Sequence, residues 1–170
     1  RDPQANEPAT ASRSDTELEW RQWQAQLRLA ISAFDDRELD RLYGQIFSVY
    51  STTVVFQDIW VPLWQQLLRH QGRFGQASEW LFFDNFLRSR VARCLQMACA
   101  SPAPRVLLSA IAGECRELEL LVAGLLLTRN DRVVRVVAIG QPLEELSLVC
   151  QKLEPRAVVL FANHALNTAD

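Results

Sequence analysis

Lysine is almost missing from this 170-residue chain: of its 18 basic residues all but Lys152 are arginine. An arginine-rich genome explains that bias at least as well as a functional demand does. Against 20 acidic residues the net charge is −2, so the bulk electrostatics give no sign of a nucleic-acid-binding surface. Metal-site spacing is missing too. The four cysteines, at 94, 99, 115 and 150, form no C-x-x-C pair, and the two histidines stand far apart at 70 and 164. A reducing, cytoplasmic setting fits this usage best. No apolar run reaches membrane-spanning length; the longest, 118–128, has Glu117 and Glu119 at its flank. No signal peptide, P-loop, G-x-G-x-x-G or Ser-His-Asp arrangement occurs. No acid, base or nucleophile converges anywhere, so the chain reads as a non-enzyme with no catalytic residue to assign. It opens on Arg rather than Met, as a fragment or tag-cleaved product would.

What is present is ample core. Hydrophobic residues make up 49% of the chain, enough for one or two compact domains. Residues 1–14, rich in Pro, Ala, Ser and Asn without periodicity, read as a flexible linker. Ser14-Asp15-Thr16-Glu17 then resembles a helix start, and Leu18, Trp20, Trp23, Leu27, Ile31 and Phe34 recur at helical spacing. Asp35-Asp36 predicts the start of a second helix over 37–50. Ser51-Thr52-Thr53 is a short break before a third helix over 54–70, in which Pro62 either makes a kink or begins a second segment. After the turn 71–75 a long fourth helix, 76–100, is apolar on more than one side. Short connections between four helices predict an antiparallel four-helix bundle over 15–100.

Ser101-Pro102-Ala103-Pro104 marks a domain boundary. Beyond it the period changes to strand 105–111, helix 115–129, strand 132–139, helix 142–153 and strand 157–162. This β-α-β-α-β alternation predicts a parallel sheet, hence an α/β domain over 105–170 that is a partial flavodoxin-like (Rossmann-like) sheet. The first strand is too continuously apolar for a half-exposed strand and suits the buried centre of the sheet. The third strand is expected at an open edge, either because the chain stops part-way through the domain or because that edge pairs with another chain. In such sheets ligands lie where strand passes to helix, here near Gly113, Glu114, Cys115 and Arg116.

Two segments carry a resemblance. Ala112-Gly113-Glu114-Cys115-Arg116-Glu117-Leu118-Glu119 is similar to a Pro-Gly-Glu-x-His-x-Leu-Gly pattern, and Ile139-Gly140-x-Pro142-x-Glu144-Glu145-Leu146 to a Leu-Gly-x-x-x-Pro-x-x-x-Leu region. The Arg-Leu-rich stretch 88–95 adds to them. Together, in this order over about 16–164, they resemble the cobalamin-binding module of methyltransferases and of light-responsive MerR-type transcriptional repressors. The resemblance implies a helical bundle, a flavodoxin-like domain and a winged helix-turn-helix outside this chain. It also implies that Arg116 stands where the family places its cobalt-ligating His. In the bundle, Glu79 matches the family's Glu, while Arg69 and Trp80 stand at its Trp and His positions. With three of four signature residues replaced, the chain is expected to have lost cobalamin. It is then a sensory and oligomerisation module that answers another ligand or a protein partner, such as a separate photoreceptor. The alternative is a corrinoid-binding protein or photoreceptor domain with base-off binding. A homo-oligomer is expected, with DNA contacted only through the absent helix-turn-helix and no membrane partner.

Each candidate also has a plainer reading. Arg116 could clamp a carboxylate or phosphate at a helix start, or simply pair with Glu119 or Glu114. Cys115 at a helix N-terminus could carry a lowered pKa, but no base or second cysteine stands nearby. Trp60, Trp64, Trp80, Phe82, Phe83 and Phe86 could line a cavity, fill the space of a lost cofactor, form an oligomer surface or be core. His164 reads as solvated, and Asp35-Asp36 and Glu144-Glu145 as helix-start acids.

Overall fold

The structure, a computed structural model, describes residues 9–98, 106–128 and 133–163, with side chains from Thr16 onward. It is mostly helical with a small parallel sheet of three strands, so the α/β expectation holds at that level. The chain divides into two compact units, one running to Phe83 and the other starting at Asp84. The Ser-Pro-Ala-Pro joint and His164 lie outside the described residues.

The first unit begins with α1 (Ala9–Ser32), which starts ahead of the Ser14–Glu17 signal. Nothing in Ala9–Arg13 breaks a helix, so the cap-like residues are overrun. α1 ends with Phe34 in the left-handed region (φ 53°). The Asp35 N–H reaches the Ala30 carbonyl and the Phe34 N–H that of Ile31, both at 3.0 Å, which satisfies the helix's last carbonyls. Asp35 then caps α2 (Asp36–Val49) by accepting the Glu38 N–H at 3.0 Å. Ser51 caps the next helix in the same way, through the Val54 N–H.

That next helix runs on through Pro62. It comprises α3 (Thr52–Val54), a π-helical turn (Val55–Trp60) and α4 (Val61–Arg69). Proline has no N–H to give the carbonyl four residues back, which here is Asp58. The backbone widens instead, so that the Val61 N–H meets Phe56, five residues back. The Asp58 carbonyl is approached by the Gln24 side-chain amide of α1 at 3.5 Å. The proline thus makes a wide turn rather than a break. Leu27, Ile31, Leu39, Leu42, Ile46, Ile59 and Leu63 fill the core around it, each 1% exposed or less. The unit closes with the first turns of α5 (Gln76–Ala98), entered through Gly75 at φ 92°.

The second unit holds the rest of α5, then β1 (Val106–Ala110), α6 (Glu117–Leu127), β2 (Val134–Val136), a 3-10 turn (Leu143–Glu145), α7 (Leu146–Leu153) and β3 (Ala157–Phe161). The order is β2-β1-β3, all parallel, with Val106 paired to Val134 and to Ala157. β1 is central and buried, as its unbroken apolar run predicts. β2 is much shorter than the expected 132–139, and 129–132 lie outside the described residues. After Val137 donates to Leu108 at 2.8 Å, a turn over 138–141 with Gly140 at φ 88° carries the chain out of the ladder. Leu108, Ala110, Leu120 and Val134 form a core between α6 and one sheet face. Gly124 of α6 lets the helix settle there, because a Cβ on it would collide with Val136 Cγ2.

Candidate functional site

The strand-to-helix turn after β1 is built by main-chain bonds. The Ile111 N–H donates to Phe161 of β3 at 2.9 Å, and the Glu114 N–H returns to Ile111 at 3.1 Å. Gly113 makes this turn possible, since φ 79° is a conformation other residues adopt at a cost. Arg116 caps α6 with extended backbone, and its N–H is accepted by Glu119 at 2.8 Å. This is half of a capping box. The other half needs an acceptor on residue 116, and a guanidinium has none.

The second Glu119 oxygen accepts the Asn163 side-chain amide at 2.6 Å, and the Asn163 N–H donates to the Glu114 carbonyl at 2.9 Å. The turn is therefore clamped from both sides by Asn163, two residues past the end of β3. By sequence Asn163 falls just past the expected third strand, 157–162. Its partner Glu119 is 44 residues away, and no local signal points to it. Arg88 of α5 adds a second tie, binding Asp84 at 2.7 Å and Glu117 at 2.9 Å. Asp84 is buried, so the pairing offsets its desolvation.

Cys115 packs against the α6 core. Burial, and then the Glu119 carboxylate, push its thiol above the ordinary range. The expectation of a lowered pKa is thus reversed, because apolar surroundings and an anion outweigh the helix start. Ser109 of β1 is wholly buried, and its hydroxyl has no hydrogen-bond partner among the described residues.

Arg69, Glu79 and Trp80 belong to the first unit, whereas Gly113, Glu114 and Arg116 share the turn just described. Arg69 is exposed in the last turn of α4, where a cation suits the helix dipole. Trp80 packs on Trp64 at 5.9 Å. Glu79 lines an open groove of about 450 Å³ together with Arg28, Leu29, Ser32 and Leu67. The aromatics around Trp80 are engaged within their own unit. Phe83 stacks on Trp60 at 5.8 Å and Phe82 meets Phe34 at 5.2 Å. Trp60, Trp64 and Phe83 are wholly buried, so these three are core rather than an exposed oligomer surface.

Among the described residues no three His, Cys, Asp or Glu side chains gather as a metal site, and no helix is long and apolar enough to cross a membrane. No protein-family model matches the chain, and no curated protein does.

Proposed function

We propose that this chain is the sensory and oligomerisation module of a MerR-type transcriptional regulator, related to the cobalamin-responsive repressors but without their cofactor. In this reading the helical unit corresponds to the family's four-helix bundle and the sheet unit to its flavodoxin-like domain. The observation that carries it is the turn 111–116. It lies at the carboxyl edge of a central parallel strand, has Gly113 at positive φ, and ends on Arg116 as the N-cap of α6, the position to which the resemblance assigns the family's imidazole. DNA reading belongs to a helix-turn-helix outside these residues. The chain's part is to change its self-association or packing when another small molecule or a protein partner, such as a photoreceptor, binds.

The residues of the turn do not fit a corrin held by a lower axial ligand. Arg116 has no lone pair to offer cobalt. Cys115 packs into the α6 core, where burial and the Glu119 carboxylate disfavour its thiolate. The Glu114 carbonyl is already occupied by Asn163. Two observations test the reading. The reading frame upstream of Arg1 should encode a helix-turn-helix, and a frame without one overturns the regulator. After incubation with adenosyl- or methylcobalamin and removal of free ligand, the wild-type chain should keep no corrin band, whereas Arg116→His should gain one. A band retained by wild type overturns the loss of cofactor.

A further inference from the structure

The two edges of the sheet are built differently. β2 spans three residues and exposes Arg135, and a short charged edge resists further pairing. β3 spans five residues, Ala-Val-Val-Leu-Phe, without a charge. Val158 is 42%, Val159 37% and Leu160 50% exposed, so the strand is open on both faces. Register puts Val159 on the α6 face with Ala110 and Phe161, and Val158 and Leu160 on the opposite face with Leu107 and Ser109. Among the described residues nothing pairs with the far edge of β3.

We propose that β3 is a homodimerisation edge, on which the β3 of a second copy pairs antiparallel about a two-fold axis at Val159. The choice of a second copy follows from the register. The Phe161 carbonyl accepts the Ile111 N–H, so Phe161, and with it Val159 and Ala157, turn their main-chain groups toward β1. Val158 and Leu160 turn theirs to the free edge. A two-fold at Val159 sets Val158 of each copy opposite Leu160 of the other. Both are then hydrogen-bonded pairs that exchange both N–H···O contacts, and each joins a half-exposed Val to a half-exposed Leu on one face. Val159 meets its own counterpart on the other face. The flanking cation causes no repulsion, because Arg156 falls opposite Ala162 and the two guanidinium-bearing positions stand about 20 Å apart. The strand is thus complementary to itself in side chain, main chain and charge, as an isologous contact requires. The result is a continuous six-stranded sheet.

This interface takes its meaning from the oligomerisation in the proposed function, but its geometry rests on the sheet alone. The test is cross-linking across the two-fold. Opposed Val159 positions form a non-hydrogen-bonded pair with Cα atoms about 4.5 Å apart, within disulfide reach. Val159→Cys should therefore link covalently on mild oxidation, well ahead of Val158→Cys and of wild type with its native cysteines. In sedimentation the 19.4 kDa chain should form a dimer, and Leu160→Glu should raise its dissociation constant about tenfold or more while leaving the circular dichroism unchanged. A wild-type chain that stays monomeric to roughly 100 μM overturns the proposal. So does a dimer that ignores Leu160→Glu, or a Val159→Cys chain that links no faster than the controls. A β3 dimer from a gene without a DNA-binding segment keeps this interface and sinks the regulator. A regulator that self-associates through another surface does the reverse.

Discussion

The aromatic core of the first unit and the β3 side of the second show two ways of using the same kind of residue. Around the wide turn at Val55–Trp60, large side chains are closed on all sides. Trp60 stacks on Phe83, meets Tyr43 at 5.6 Å and is wholly buried. Along β3, apolar residues of similar sequence character stay a third to a half exposed. Burial at the first site holds the fold, while exposure at the second leaves apolar area and main-chain groups available for a partner. Hydropathy alone does not separate the two. Coverage does, and it depends on what the rest of the chain supplies.

The sharpest way to break this contrast is to truncate one residue from each side. Trp60→Ala removes a wholly buried ring and leaves a cavity, which should cost about 3–5 kcal/mol in a urea melt. Leu160→Ala, measured below the concentration at which chains associate, should cost less than about 1 kcal/mol, since its side chain is half in water already. Equal losses would mean that β3 is covered as fully as the helical core.

A smaller effect probes the well-covered face of the sheet. Gly124→Ala puts a methyl where Val136 Cγ2 lies, while improving the helix. The steric term should win by about 1–2 kcal/mol. Adding Val136→Ala should recover most of the loss in a double-mutant cycle, because the clash is with that side chain. Without recovery, the close approach of α6 to β2 would not be the reason for the glycine.

Legibility in the sequence followed how local each cause is. Asp35 was legible as a helix start from residue type, and it accepts the N–H three residues on. Ser51, read only as part of a short break, caps its helix in the same way. The apolar run of β1 indicated a central strand because only two-sided burial tolerates it. Pro62 was read only as a kink or a start. A π-helical turn around it depends on the backbone widening over six residues, and the carbonyl it releases is approached by Gln24, 34 residues away. β2 fell short because Gly140 turns the chain, a choice that apolar patterning does not register. At the candidate site Gly113 and the helix start were legible. The clamp by Asn163 and the tie from Arg88 join residues 44 and 29 positions apart, and no periodicity encodes such pairs.

The smallest predicted effect concerns Cys115, where the two kinds of coverage meet in one residue. Its thiol is partly buried against the α6 core and faces the carboxylate that clamps the turn. Desolvation first, and then the Glu119 charge, disfavour the thiolate, so the folded thiol titrates above the ordinary cysteine value. The sign follows from linkage: the thiol's contribution to stability is full below the unfolded pKa and fades as pH rises through the higher folded value. At mildly alkaline pH, therefore, Cys115 should be alkylated more slowly than the same cysteine in an unfolded peptide, as read by mass spectrometry of the tryptic fragment. Glu119→Gln should shorten the lag only in part, since burial is the larger cause. Alkylation as fast as in the peptide would show a thiol open to water, and the turn would then be less closed than its bonds to Asn163 imply.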